Sequence, residues 1–424
     1  MNIQALRIHI ACLPALVLLL GACASTPAPV SPIPEGDFRQ RVQTQEKNGI
    51  RVSAGVPSAS ESEELFGKPL YKQGIQPVWL KIENDRDQPI TFLPVGVDPA
   101  YFTPHEVASL QQAESTSNLV RDFFVEQRLI LNIDPGEEHS GFLFTKLDEG
   151  TKAFNVDIAG AANQQFDTFT FFIQVPGLNI DHYSIDFKNL YPADQWVDLD
   201  DTAKDDLMAL IEGFECCVTD KGGNNYGDPL NLVLIGHPLD IYTTFIRAGW
   251  DETETITRAS TWKTVRSFLS GGEYRYSPIS SLYVFGRPQD VAFQKARDNI
   301  HERNHLRLWM SRLSYQGIPI WIGQISRDIG VRFTKKTITT HKIDPNVDET
   351  REYLLEDLVY AQTLKKMGYV GGVGFVPMDQ PKGNLTGDPW FSDGYRLVLW
   401  VSSRPTPFSA LSPIGWRNPH EAED

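Results

Sequence analysis

The chain has 424 residues, of which 41% are hydrophobic, 11% aromatic and 22% charged. This is the composition of an ordinary globular protein, and the length suffices for two or three domains of roughly 100 to 200 residues each. Collagen-like, coiled-coil and low-complexity chains are therefore excluded. The chain carries 39 Lys and Arg against 54 Asp and Glu, a formal net charge of −15. Because no basic cluster offsets this charge, we expect no nucleic-acid partner.

The first 22 residues have the pattern of a secretory signal peptide. Arg7 precedes an apolar run over residues 10–20, which is shorter than the roughly 20 apolar residues of a transmembrane helix. The run ends in Leu20-Gly21-Ala22-Cys23, which resembles the bacterial lipobox. The resemblance implies cleavage before Cys23 and attachment of fatty acyl chains, such as palmitate, to that cysteine.

A lipid on Cys23 makes the membrane the first expected partner, because each buried methylene contributes about 0.8 kcal/mol. Ala24 and Ser25 follow, without an Asp in the second mature position. By similarity with the lipoproteins of enteric bacteria, this implies a lipid-anchored protein of the outer membrane that faces the periplasm. We expect residues 23–60 to form a flexible linker, since four prolines lie between Ser25 and Gly36.

Residues 61–180 have a β pattern throughout, with short apolar runs separated by turn residues. Val78, Leu80 and Ile82 alternate with Trp79 and Lys81, as in a strand with one buried face. The pattern predicts an antiparallel β-sandwich that serves packing or partner contact. Its expected strands lie at residues 77–84, 89–94, 128–133, 141–145 and 166–175.

Residues 181–220 form an acidic connector, in which charge runs are typical of a solvated face. A calcium loop is the alternative, but the Gly and terminal Glu of such a loop are absent. Cys216 and Cys217 are adjacent, which is compatible with a disulfide, two thiols or soft metal ligands. An oxidising compartment favours the disulfide, as a loop staple or as a redox switch.

Residues 221–404 mix strands and helices, and residues 405–424 are expected to form a tail. The long helix is expected to begin near Asp344 or Asp348 and to end at Lys365-Lys366. Residues 305–310 and 318–325 form an expected hairpin around Gly317. The other expected elements are strands at 230–236, 281–286 and 395–402 and helices at 239–250 and 289–299. The predicted class is α+β overall, with the amino-terminal sandwich followed by this mixed α/β domain.

Residues 210–404 contain several linked motifs in one order: Gly227-Asp-Pro-Leu-Asn-Leu-Val-Leu-Ile-Gly236, Ala248-Gly-Trp250, Asn304-His-Leu-Arg-Leu-Trp309, Trp321-Ile-Gly323, Ser326-Arg-Asp-Ile-Gly330 and Thr340-His-Lys-Ile-Asp-Pro-Asn-Val-Asp348. Together these motifs resemble those of the LssY C-terminal domain family. The resemblance implies no particular reaction, although some members resemble fusions to membrane phosphatase or DedA-like segments, which this chain lacks. The family name comes from a locus associated with type I secretion, so an envelope or secretion-system protein is an expected partner.

Polar residues of these motifs form the candidate site. Strand alternation places His305 and Arg307 on one face of the hairpin, and the partner strand brings Arg327 or Asp328 towards His305. His341 and Asp344 lie at the next junction. If they converge, these groups can hold an anion through Arg or a metal through His and Asp. The alternative is structural: helix caps, ion pairs and a satisfied His305.

His301-Glu302-Arg303-Asn304-His305 also has the H-E-x-x-H pattern of zinc proteases. On a helix, His301 and His305 would share one face and bind a metal, with Glu302 as general base. Arg303 departs from that pattern, and strand alternation from His305 onwards argues against a helix. His301 and His305 are therefore weak metal candidates, and no other cofactor is predicted.

Two classes of function are compatible with these residues. The first is an envelope lipoprotein whose LssY-like domain is a binding or interaction module. The second is a hydrolase for phosphate-bearing or other anionic substrates, built on the six candidate residues. A zinc protease of the H-E-x-x-H type comes third.

Overall fold

The computed structural model describes residues 37–110, 118–160, 166–178, 180, 182, 185–200, 204–254, 276, 279–296, 303–332, 340–417 and 419. The predicted signal peptide, the predicted lipidation site Cys23 and the metal candidate His301 lie outside these residues. Within the part of the chain that is described, no helix has the length and apolar character needed to cross a membrane.

Two antiparallel sheets of four strands each form the amino-terminal part. Their strands are β1 Gln43–Lys47, β2 Ile50–Gly55, β3 Ile75–Asn84, β4 Ile90–Leu93, β5 Asn132–Ile133, β6 Glu138–Lys146, β7 Thr151–Gly160 and β8 Phe166–Gln174. The first sheet has the order β1-β2-β3-β6 and the second the order β5-β4-β7-β8. Helix α1 Ala59–Phe66 lies between β2 and β3 of the first sheet, and helices α2 Pro104–Leu110 and α3 Asn118–Glu126 lie between β4 and β5 of the second.

The alternation read from the sequence of β3 determines which of its side chains reach the core. Val78, Leu80 and Ile82 are buried, whereas Lys81 and Glu83 are partly exposed. The buried residues of β2 and β3 join those of β4, β7 and β8 in one hydrophobic cluster, so the two sheets share a core.

The predicted linker over residues 23–60 is wrong for its carboxy-terminal part, because β1 and β2 form a hairpin there. The turn is Asn48-Gly49, and both residues have positive φ, 52° and 71°. Asn-Gly is favoured in two-residue hairpin turns because both positions require this conformation. β2 then pairs with β3 from Ile50 to Gly55, which makes the hairpin part of the first sheet.

The carboxy-terminal part is built on one large mixed sheet. Its helices are α4 Lys204–Glu212, α5 Pro238–Arg247 and α6 Val347–Tyr360. The strands of this part are β9 Val197–Leu199, β10 Cys217–Thr219, β11 Tyr226–Pro229, β12 Leu232–Ile235, β13 Asp251–Glu252, β14 Tyr283–Val284, β15 Arg287–Pro288, β16 Val291–Ala296, β17 Arg303–Tyr315, β18 Ile318–Arg332, β19 Thr340–Ile343, β20 Leu364–Val370, β21 Lys382–Gly383, β22 Pro389–Trp390, β23 Arg396–Val401 and β24 Ser412–Ile414.

The order of the large sheet is β13-β16-β17-β18-β12-β23-β20-β24, with β19 beside β18 and β9 beside β17. One face packs against α5 and α6, and the other against α4 and the small sheet β11-β10-β14-β15. Central strands are covered on both sides, which explains why β12 and residues 397–401 of β23 are continuous apolar runs. The predicted α+β class is confirmed.

Two helix predictions were wrong. Residues 291–296, within the predicted helix 289–299, form β16, which pairs with β17; its apolar residues Val291 and Phe293 belong to the core. Helix α6 ends at Tyr360 and not at Lys365-Lys366. Gln362 has a φ of 58°, which turns the chain into β20. Lys366 is then a strand residue over the ring of Trp400.

The predicted acidic connector and tail both contribute strands to the large sheet. β9, within residues 181–220, pairs in parallel with β17. β24, within residues 405–424, pairs in parallel with β20. Their pairing is compatible with the polar composition of these segments, because the residues of β9 and β24 remain exposed or partly exposed.

Candidate functional site

The hairpin of β17 and β18 positions the candidate residues. His305 is directly opposite Ser326, and Arg307 is opposite Gln324. These side chains share one face of the sheet, since alternate residues of a strand point the same way. The intervening residues Leu306 and Leu308 point to the other face, into the core beneath α5 and α6. The predicted hairpin is therefore present, with a polar face and an apolar face.

His305 and Asp328 form a buried pair on the polar face. Their side-chain atoms Nε2 and Oδ2 are 2.6 Å apart, and the residues are only 6% and 3% exposed. Burial lowers the pKa of His305 to about 4, because desolvation outweighs the opposing attraction of Asp328. His305 is therefore neutral at pH 7, and its Nε2–H donates to the carboxylate.

Two arginines flank His305 on the same strand face, and both contact neutral groups. Arg307 donates through Nη1 to Oε1 of Gln324 at 2.9 Å and through Nε to the carbonyl of Ser280 at 3.3 Å. Arg303 donates through Nη1 to Oε1 of Gln294 at 2.7 Å. Burial lowers the pKa of both guanidiniums. Their positive charge is thus poorly compensated by direct partners.

Asp228 adds a carboxylate that the sequence analysis did not select. Its Oδ1 accepts a hydrogen bond of 3.0 Å from Nδ2 of Asn384, and the residue is buried. Burial raises its pKa, with a further rise from the nearby Asp388 and an opposing effect of Arg307. Asp228 and Asn384 are more than 150 residues apart, so no local sequence signal could have joined them.

The remaining candidates lie elsewhere. Arg327 is on the opposite face, where its Nε donates to Oδ1 of Asn304 at 3.2 Å and its guanidinium lies 5.2 Å from the ring centre of Tyr353. Asp344 accepts from the backbone N–H of Asn346, in the turn before α6. His341 belongs to β19, where its backbone pairs with Val331 of β18, and its side chain is outside the described structure.

Three of the six candidates, His305, Arg307 and Asp328, therefore share one polar face. Residues 211–395 match the family model described as the LssY C-terminus. The resemblance predicted from the linked motifs is confirmed for this part of the chain. No curated protein matches the chain.

Arg396 stabilises the LssY-like domain and was missed by the sequence analysis. The side chain is fully buried in β23, and its three nitrogens donate to backbone carbonyls on both sides of the adjacent cysteines. The acceptors are the carbonyls of Ile211, Phe214, Glu215, Leu230 and Gly372. Burial lowers the pKa of Arg396 to about 10. The position of Arg396 directly before the apolar run of residues 397–401 is the sequence signal that could have identified it.

Cys216 and Cys217 are joined by a disulfide in the LssY-like domain. Cys217 is buried beside Val347, Val373 and Trp390, and Cys216 packs at the margin of the same cluster. The disulfide thus packs where the start of β10 meets the start of α6.

The metal hypothesis lacks a complete ligand set in the described part of the chain. No group of three or more His, Cys, Asp or Glu residues is arranged there to hold an ion. His305 is a strand residue, as are Arg303 and Asn304. The carboxy-terminal half of the H-E-x-x-H pattern is therefore extended, and the helical geometry required for a zinc protease is not formed.

Proposed function

We propose that this protein is a bacterial envelope lipoprotein whose LssY-like domain is a binding or interaction module. The observation that carries the proposal is the enclosure of His305 and Asp328. This acid–base pair on the polar face is closed off from solvent, and Nε2 of His305 and Oδ2 of Asp328 contact each other. A hydrolase needs these atoms to reach a substrate or water.

The anchoring part of the proposal rests on the sequence. An apolar run followed by Leu20-Gly21-Ala22-Cys23 supports lipidation of Cys23. The acyl chains would hold the protein in the outer membrane, facing the periplasm, where an envelope or secretion-system protein is the proposed partner. The disulfide between Cys216 and Cys217 is compatible with that oxidising compartment.

A hydrolase for phosphate-bearing substrates is the second candidate, and one observation favours it. Arg307 lies beside His305 and Asp328 on one face, and guanidinium groups stabilise the charge of a phosphoryl group in transfer reactions. A hydrolytic role would require the enclosed pair to open during the reaction.

Hydrolysis of p-nitrophenyl phosphate and bis-p-nitrophenyl phosphate by the purified mature protein tests the proposal. If the domain only binds a ligand, the wild type should release p-nitrophenol no faster than the His305→Gln variant does. Turnover by the wild type that is lost in both His305→Gln and Asp328→Asn would show that the domain is a hydrolase. His105→Gln is the matched control, since His105 is exposed on α2.

A further inference from the structure

The buried arginines of the LssY-like domain differ in how their donors are used. Arg396 uses all three nitrogens on backbone carbonyls. Arg351 is surrounded by the carboxylates of Asp348, Glu352 and Asp393, which raise its pKa. These two guanidiniums have complete sets of partners, as expected of structural arginines.

Arg303 and Arg307 do not have such sets. Within the described structure, Arg303 makes one hydrogen bond, to Gln294, and its Nε is buried without a partner. Arg307 bonds to Gln324 and Ser280 through Nη1 and Nε, which leaves its Nη2 with no described partner. Neither guanidinium is directly bonded to a carboxylate there.

Gln324 adds a further unused donor on the same face. Its Oε1 accepts from Arg307, and because an arginine can only donate, the orientation of the amide is fixed. Nε2 therefore points away from Arg307. The residue is 0% exposed, and Nε2 has no partner among the described atoms. A buried N–H without an acceptor costs about 1 to 3 kcal/mol, so such a donor needs a compensating group.

The carboxylates near these donors are engaged elsewhere. Asp328 contacts His305, and Asp228 accepts from Asn384. They lower the electrostatic potential at Arg307 through space, without occupying its donors. His305 is neutral and adds no charge. The donors without a described acceptor on this face thus belong to two cations and one amide.

We propose that the face of β17 and β18 carrying Arg303, Arg307 and Gln324 binds the oxyanion group of a small ligand, a phosphate or a carboxylate. The proposal rests on the proposed role of the LssY-like domain as a binding module and specifies its ligand chemistry. Guanidinium and amide N–H groups match the lone pairs of such oxygens. Arg303 is buried and Arg307 is partly exposed, so Arg307 is the member of the set through which an anion would reach this face, and the negative charge would compensate both guanidiniums.

Calorimetric titration of the mature protein tests this site. Inorganic phosphate and acetate are titrated separately at constant ionic strength, with chloride as the control anion. We expect binding of at least one of the two anions. Binding of phosphate alone would indicate that the ligand carries a phosphate group, and binding of acetate alone would indicate a carboxylate. Gln324→Glu and Arg307→Gln should each weaken binding at least tenfold. In Gln324→Glu, the new carboxylate is placed against Arg307, so this variant should remain folded while its site is blocked.

Arg312→Gln is the matched control, because Arg312 is an exposed residue of the same strand. It removes the same charge and should leave the affinity unchanged. Absence of binding by the wild type, or equal binding by folded Gln324→Glu and wild type, would overturn the inference. Such a result would leave the proposed binding role intact, because that role is refuted by a different result, hydrolysis that depends on His305.

Discussion

Asp328 contacts His305 although Ser326 occupies the directly opposed position on β18. The contact is diagonal, two residues along the strand, and it remains on the same face because side chains alternate. The register therefore brings together a base and a carboxylate while leaving Arg327 on the opposite face. The sequence-based expectation that one of Arg327 and Asp328 would approach His305 is met by Asp328.

Replacing Cys23 by Ser should release the protein from membranes. The variant lacks the thiol that would carry acyl chains, and no described helix is able to span a bilayer. Fractionation of cells that express the wild type and Cys23→Ser measures the effect. Sedimentation of the serine variant with membranes after a high-salt wash would contradict lipid anchoring.

Stability should fall as the pH decreases from about 6.5 towards 4, in part because of buried histidines. Burial lowers the pKa of His305 to about 4 and that of His182 to about 3, below the usual value of about 6.5. In this pH range the unfolded chain binds more protons than the folded chain, so acid favours unfolding.

His182→Gln should show a smaller loss of stability than the wild type over that pH range. His182 stacks on Tyr242 and lies 3.2 Å from Oε1 of Glu252. The measurement is the denaturant midpoint at a series of pH values, with His105→Gln as the exposed control. Parallel pH profiles of wild type and His182→Gln would contradict this origin of the acid sensitivity.

Arg396→Met should destabilise the LssY-like domain strongly. The change keeps a long side chain but leaves several buried carbonyls without their donor, and each unsatisfied group costs about 1 to 3 kcal/mol. Urea unfolding gives the free energy of unfolding. Arg404→Met changes an exposed arginine and should leave that free energy nearly unchanged. Equal stability of the two variants would show that the carbonyl contacts of Arg396 are dispensable.

Gly141→Ala should destabilise the amino-terminal sheets by about 1 to 3 kcal/mol or more. A Cβ at this position would lie 2.5 Å from backbone atoms of Arg128 and Leu129, where Arg128 forms a bridge to Phe142. Gly383→Ala is the control, because nothing lies within 4 Å of its Cβ position. A thermal midpoint for Gly141→Ala equal to that of Gly383→Ala would refute the predicted clash.

The elements that can be predicted from the sequence are those whose signals are local. The hairpin of β17 and β18 follows from alternation and from the turn at Gln316-Gly317, where both residues have positive φ. β16 was mistaken for a helix, because a short buried strand and a buried helix segment have similar apolar patterns. Asp228 and Gln324 could not be predicted as site residues. The partner of Asp228, Asn384, is distant in sequence, and the buried Nε2 of Gln324 without an acceptor is revealed only by the packing of the folded chain.

A double-mutant cycle on His305 and Asp328 tests the central claim, that this pair is enclosed and structural. Thermal and urea unfolding are measured for His305→Ala, Asp328→Ala and the double variant. Removing one member of this buried pair takes a hydrogen bond from the other, at a cost of about 1 to 3 kcal/mol, and more where the charged carboxylate of Asp328 is the group left behind. The account predicts a large loss of stability in each single variant and partial recovery in the double variant. Single variants as stable as the wild type would contradict it, and would place both side chains at an open site.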